Sequence, residues 1–230
     1  MILPVKKTDI DKKYNIPEIL PKPPFCLVAV APTKSGKSNL ILNLIYRAYK
    51  PIFEEIIYIS PTLKLDSVLE KSVNIDDDIV KIDDTDDLKN VDSILDEIVQ
   101  TQKEKSPEDR KEVLIILDDM ISYFKSNGKS QLNDLPSLSR HYKISFIISS
   151  QVYIAPPSRL RKNASHYIIF RLFNKKDLKT LYEEVGANFP DFEENYNKAV
   201  EEKFSFLYLD NREMKMYKRF EELLCRNIKK

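Results

Sequence analysis

Nine consecutive residues, Ala31-Pro32-Thr33-Lys34-Ser35-Gly36-Lys37-Ser38-Asn39, bring together what a polyphosphate asks of a protein: a flexible backbone, a cation and a hydroxyl. This is the Walker A spacing, in which backbone N–H groups from Lys34 to Ser38 wrap a β-phosphate at a helix N-terminus and Gly36 lets the main chain come close. Lys37 is then placed to neutralise the β- and γ-phosphates, and the Ser38 hydroxyl to ligate a Mg2+ ion bridging them. Thr33 and Lys34 line the γ-phosphate side. Ala31 stands where the pattern ordinarily has Gly, and a positive φ there would cost Ala about 1 kcal/mol or more.

A second carboxylate site follows an apolar run, Val113–Leu117, which ends in Asp118-Asp119. Acids at the end of such a strand face the crevice where ligands bind in open α/β sheets. Asp118 is expected to hold Mg2+ through a water and to bond Ser38, leaving Asp119 to orient or deprotonate an attacking water. Taken alone, the two acids could equally be an N-cap pair opening a helix at Met120. A third run, Ile144–Ser149, leads into Ser150-Gln151, whose amide can bond both a γ-phosphate and the attacking water. Beyond it lies a Pro-stiffened basic loop carrying Arg159, Arg161 and Asn163. An arginine there reads as a finger reaching the γ-phosphate of a neighbouring subunit, Arg161 before Arg159, or else as a solvated or DNA-contacting loop.

These residues need strand ends to hold them, and the chain supplies the strands. Phe25–Val30, Glu55–Ser60, Ile79–Ile82, Val113–Leu117, Ile144–Ser149 and Tyr167–Leu172 are short apolar runs of the kind buried on both faces of a parallel sheet. Leu40, Ile41, Leu44, Ile45 and Ala48 recur at helical spacing up to Tyr49, with Pro51 as the stop, and Leu88–Gln100 and Leu132–Tyr142 also read as helices. Strands alternating with helices predict a doubly wound α/β fold. Phe204–Leu209 and Met214–Phe220 flank a turn and predict a hairpin at the sheet edge. The expected organisation is an extended arm over 1–24, one domain over 25–222 and a tail over 223–230.

At 230 residues, 42% hydrophobic and 32% charged, the chain has the composition of a globular protein with one sizeable core. No apolar run approaches the ~20 residues that cross a bilayer, and the start lacks the pattern of a signal peptide, so an intracellular protein is expected. Cys26 and Cys225 lie far apart and the only imidazoles are His141 and His166, which argues against a disulfide framework or a Cys/His metal site. Thirty-seven Lys and Arg balance 36 Asp and Glu, so any DNA contact must come from local patches. Asp76–Asp87 holds seven Asp but lacks the Gly and final Glu of a calcium loop, and reads as a solvated connection.

Together, APTKSGKS after the first strand, YISPT after the second, VLIILDD, FIISSQ and PPSRLRKN followed by HYIIFRLFNKKDLKTLYEE resemble the poxvirus-type genome-packaging ATPases of the FtsK–HerA superfamily, over roughly residues 23–220. The resemblance implies a RecA-like P-loop three-layer sandwich with a mostly parallel central sheet and a C-terminal antiparallel hairpin. It also implies a homo-oligomeric ring around double-stranded DNA that uses ATP and Mg2+ to drive the genome into a capsid at cytoplasmic assembly sites. Capsid or portal-vertex proteins would be its partners. Lys37, Asp119, Gln151 and Arg161 carry over as catalytic, Ser38 and Asp118 as metal ligands, and Ala31 through Asn39 as the nucleotide loop. Four rivals remain: a GTPase reading guanine through Asn174-Lys175-Lys176-Asp177, a small-molecule kinase, a nucleotide-binding scaffold without turnover, and another motor of the same superfamily, such as a conjugation or chromosome-transfer pump. The GTPase would want a Gly three residues after its Mg2+-linked acid, where this chain has Ile121, and the kinase an Arg-rich lid that is not evident.

Overall fold

Alternation along the strands explains their unbroken apolar character. In strand β1 (Cys26–Val30) every residue is buried. Cys26, Val28 and Val30 point into one core, while Leu27 and Ala29 point into the other. The same division runs through β4 (Val113–Asp118), with Val113, Ile115 and Leu117 on one face and Leu114 and Ile116 on the opposite one. A strand covered on both sides has no polar face, so hydrophobicity is continuous and not alternating. Each fully buried Val, Leu or Ile contributes roughly 1.5–3 kcal/mol.

The structure is a computed structural model and describes residues 16–64, 78–82, 91–126 and 140–226. The remaining strands are β2 (Glu55–Ile59), β3 (Ile79–Ile82), β5 (Ile144–Ser150), β6 (His166–Phe170), β7 (Phe206–Asp210), β8 (Lys215–Lys218) and β9 (Glu222–Arg226). Among the described residues they form one nine-stranded sheet in the order β3-β2-β4-β5-β1-β6-β7-β8-β9. The six strands from β3 to β6 run parallel, and β7, β8 and β9 add an antiparallel meander. The predicted mostly parallel sheet with a C-terminal antiparallel hairpin is therefore observed, extended by β9 into residues expected as a tail.

Helices cover both faces. On one side lie α1 (Lys37–Leu44) and the π-helical turn Ile45–Tyr49 that continues it, with Ile41, Leu42, Ile45 and Tyr49 in the core. Across the sheet are α2 (Val91–Glu104), α3 (Ile121–Ser126), α4 (Ser158–Lys162), α5 (Lys175–Glu184) and α6 (Phe192–Ala199), which supply Val91, Leu95, Leu160, Leu181, Phe192 and Tyr196. Residues 16–24, the described part of the expected N-terminal arm, pack on the domain. Ile16 and Leu20 enter the core, and Tyr49 and Tyr208 hydroxyls donate to the Pro21 and Ile19 carbonyls at 3.1 and 2.8 Å. The predicted helix over Leu132–Tyr142 and most of the Asp76–Asp87 connection lie outside the described residues.

The register brings three loops to one edge. Val30 pairs with Ser150, and Asp118 with Ser149, so β1, β4 and β5 end side by side. The strand order places β5 between β1 and β4, which sets Gln151 between the phosphate loop and the acids.

Candidate active site

The chain leaves β1 through Ala31 and turns sharply before α1. Lys34 and Gly36 adopt left-handed conformations, φ 64° and 90°, around an ordinary Ser35, and the Ser35 N–H bonds the Pro32 carbonyl at 3.3 Å. Such alternation points successive N–H groups into a concavity that favours anions. Gly36 then opens α1 with no side-chain cap, so the orphan donors of the first turn and the positive end of the helix dipole are directed at the same place. Ala31 is fully buried and is not among the positive-φ residues. The strain expected from Ala replacing Gly is thus absent, because the unusual torsions fall at Lys34 and Gly36.

A cavity of about 330 Å3 lies over this turn, lined by residues 32–39 with Asp119, Gln151 and Phe204. Lys37, only 7% exposed, points its ammonium at both acids, 3.1 Å from Asp118 Oδ1 and 2.9 Å from Asp119 Oδ1. Gln151 Nε2 donates to Asp119 Oδ2 at 3.0 Å, and the Thr33 hydroxyl donates to Gln151 Oε1 at 2.9 Å. Thr33, Gln151, Asp119 and Lys37 therefore form one connected chain across the mouth of the loop. Both Asp119 oxygens are engaged within the site, and its backbone is left-handed with φ 52°. Asp119 thus serves this chain of contacts and not the cap of α3.

Asp118 is 1% exposed and is held from three sides. Besides Lys37, it accepts from the Tyr58 hydroxyl at 2.9 Å and from the Ser149 hydroxyl. The sequence pointed to Ser38 as its partner, whereas the geometry supplies Tyr58 of β2 and Ser149 of β5. Neither was singled out from the sequence. The available signal was a Ser inside an apolar strand, and Tyr58 resembles any core aromatic. Four lone-pair directions on a carboxylate leave room for one more donor or ligand at Asp118. With the half-buried Ser38 hydroxyl, the donor set is hard oxygen, the kind Mg2+ takes when phosphate and water complete its shell.

Arg161 is not brought to this site. It is 5% exposed, donates from Nε and Nη2 to the two oxygens of Glu184 at 2.9 and 2.7 Å, and bonds the carbonyls of Ile154 and Pro156. Its guanidinium also lies 5.2 Å over the Tyr153 ring. This corrects the expectation of Arg161 as a finger: its donors are spent on closing the loop before α4 onto α5. Arg159, two residues earlier on the same helix, is exposed.

Asn174-Lys175-Lys176-Asp177 is likewise occupied by local structure. The Asn174 side chain caps α5, accepting from the Lys176 and Asp177 amides at 2.8 and 3.4 Å, and buried Asp177 accepts from the Ile154 amide at 3.1 Å. The motif ties a helix to a loop, which removes the observation that favoured guanine reading.

A family model described as the poxvirus A32 protein matches residues 12–186. The chain belongs to the poxvirus A32 protein family. The family named from its motifs is the one matched. Uncharacterized protein 075L of Invertebrate iridescent virus 6 is 30% identical to this A32-family chain over 100 residues, 43% of this chain and 39% of that protein. The match therefore spans well under half of that relative. Among solved structures, the genome packaging NTPase B204 of Sulfolobus turreted icosahedral virus 2 in complex with sulfate superposes with a TM-score of 0.61 at 18% identity, covering 90% of this chain and 99% of that one. The same NTPase with AMPPCP gives 0.59 at 18% identity, covering 84% and 95%. The pCW3 conjugation coupling protein TcpA with ATPgS gives 0.56 at 16% identity over 80% of this chain and 56% of that one. At these identities the likeness is one of fold.

Proposed function

We propose that this A32-family chain is a Mg2+-dependent ATPase that works in viral genome packaging, translocating double-stranded DNA into a preformed capsid as a homo-oligomeric ring. The observation that carries the reading is Lys37 held between Asp118 and Asp119 at the mouth of a helix-N-terminal cavity, with Gln151 hydrogen-bonded to Asp119. The packaging role is supported by family membership and by the fold shared with the B204 packaging NTPase, which was solved with AMP, AMPPCP and ATP-gammaS.

In this reading Lys37 exchanges its carboxylate partners for the β- and γ-phosphates, and Thr33 releases Gln151. Gln151 is then free to orient a water for attack, and Asp119 to take its proton. Tyr58 and Ser149 keep Asp118 in one orientation while Lys37 moves. Ser38 and Asp118 would hold Mg2+, which neutralises charge on the phosphates when bound. A trans-acting arginine, if present, is Arg159.

The test is steady-state phosphate release from ATP and GTP, with and without long duplex DNA, for the native protein and Lys37→Ala. ATP turnover that rises with DNA and disappears in the variant is the expected result. A preference for GTP would remove the motor reading, and ATP binding without turnover under any condition would make the chain a scaffold.

A further inference from the structure

We propose that Phe204 is the base-stacking residue of the nucleotide site, an assignment that rests on the nucleotide binding proposed above. Phe204 ends the turn before β7, where the Ser205 amide bonds the Glu202 carbonyl at 3.2 Å. Its ring lines the same cavity as Lys37, Asp119 and Gln151, and a Cβ placed on Gly36 would lie 3.4 Å from its Cδ1.

Strand register explains how a residue 168 positions from Gly36 reaches it. Phe206 pairs with Phe170, and Val30 with Ile169, so the head of β7 lies at the edge where β1 enters the phosphate loop. The acids and Gln151 stand on the β5–β4 side of β1, and Phe204 stands on the β6–β7 side. With the terminal phosphates between Lys37 and Asp119, the sugar and base are assigned to the β6–β7 side of β1, where Phe204 stands.

The residue itself is unusual. Phe204 is 55% exposed and sits on a left-handed backbone, φ 63°, which aromatic residues avoid. Strained backbone torsions of this kind concentrate at ligand clamps, and packing does not account for an aromatic residue half in water. Lys203 Nζ lies over the ring, 4.8 Å from its centroid. Base–aromatic stacking contributes roughly tenfold or more in affinity, whichever base is offered.

Isothermal titration with ATP and with inorganic tripolyphosphate, both in Mg2+, separates the base from the phosphates. The native protein, Phe204→Gly and Phe204→Trp are compared; Gly accepts the positive φ, so the fold is not strained by the change. Phe204→Gly should bind ATP roughly tenfold more weakly while tripolyphosphate affinity is unchanged, and Phe204→Trp should retain ATP affinity. Equal losses for both ligands, or no loss for ATP, would overturn the assignment while leaving nucleotide binding intact. Failure of the native protein to bind either ligand would overturn the nucleotide reading and this assignment with it.

Discussion

Arg159 and Arg161 are two residues apart and chemically identical, yet only burial separates a structural clamp from a candidate trans-acting group. Removing one member of a buried ion pair leaves the other charge desolvated without compensation, at about 3 kcal/mol or more. Arg161→Met should therefore lower the unfolding free energy measured by urea titration by that amount, with a matching fall in midpoint, and Arg159→Ala should change it by less than about 0.5 kcal/mol. Similar midpoints for the two variants would contradict the clamp. His166 permits a pH prediction. Burial, reinforced by the Arg212 charge, pushes its imidazole down to about 3, despite Asp210 at 3.5 Å from Nε2. The unfolded imidazole titrates near 6.5, so between about pH 6.5 and 3 the unfolded state binds a proton that the folded state refuses. Stability must fall as pH drops through that window. The melting temperature of the native protein should decline more steeply from pH 7 to 5 than that of His166→Gln; parallel curves would mean that the imidazole is not held neutral by the fold.

At the scale of elements, both the successes and the misses of sequence reading have a physical cause. Strands β1, β4 and β5 stood out because both faces are covered, which makes their apolar runs unbroken. Strand β9 was missed because it is an edge strand whose residues are exposed or half-exposed, leaving no hydrophobic pattern. Helix α5 opens with Asn174, a residue whose type fits a base-reading motif and a helix cap equally, and only the observed bonds to Lys176 and Asp177 choose between them. Asn174→Ala should cost about 1 kcal/mol through loss of the cap. The ratio of ATP to GTP turnover should not change, and a shift in that ratio would restore the guanine reading.

For the whole molecule, the proposed ring would make each active site the joint property of two subunits, one giving Lys37 and the other the proposed trans-acting Arg159. Loss of an arginine finger typically lowers turnover on the order of 10³-fold. Lys37→Ala and Arg159→Ala proteins should each be inactive alone and recover part of the ATPase rate when mixed, because some mixed interfaces hold both native residues. A mixture that stays inactive, or an Arg159→Ala protein with full activity, would argue against a shared site. DNA stimulation should weaken as salt rises, since a chain with 37 basic and 36 acidic residues can attract phosphates only through local patches.

By itself the sequence determined the phosphate loop, the paired acids, the glutamine and the α/β class. Those features are local: a strand, a turn and a helix N-terminus are encoded by neighbouring residues. Ala31 could be accepted, and its expected strain dismissed, only once the torsions were known. The tertiary structure alone decided that Tyr58 and Ser149 hold Asp118, that Arg161 serves Glu184, and that Phe204 stands over Gly36. Those pairings join residues far apart in the chain, and they are set by strand order and register, which hydrophobic periodicity does not encode.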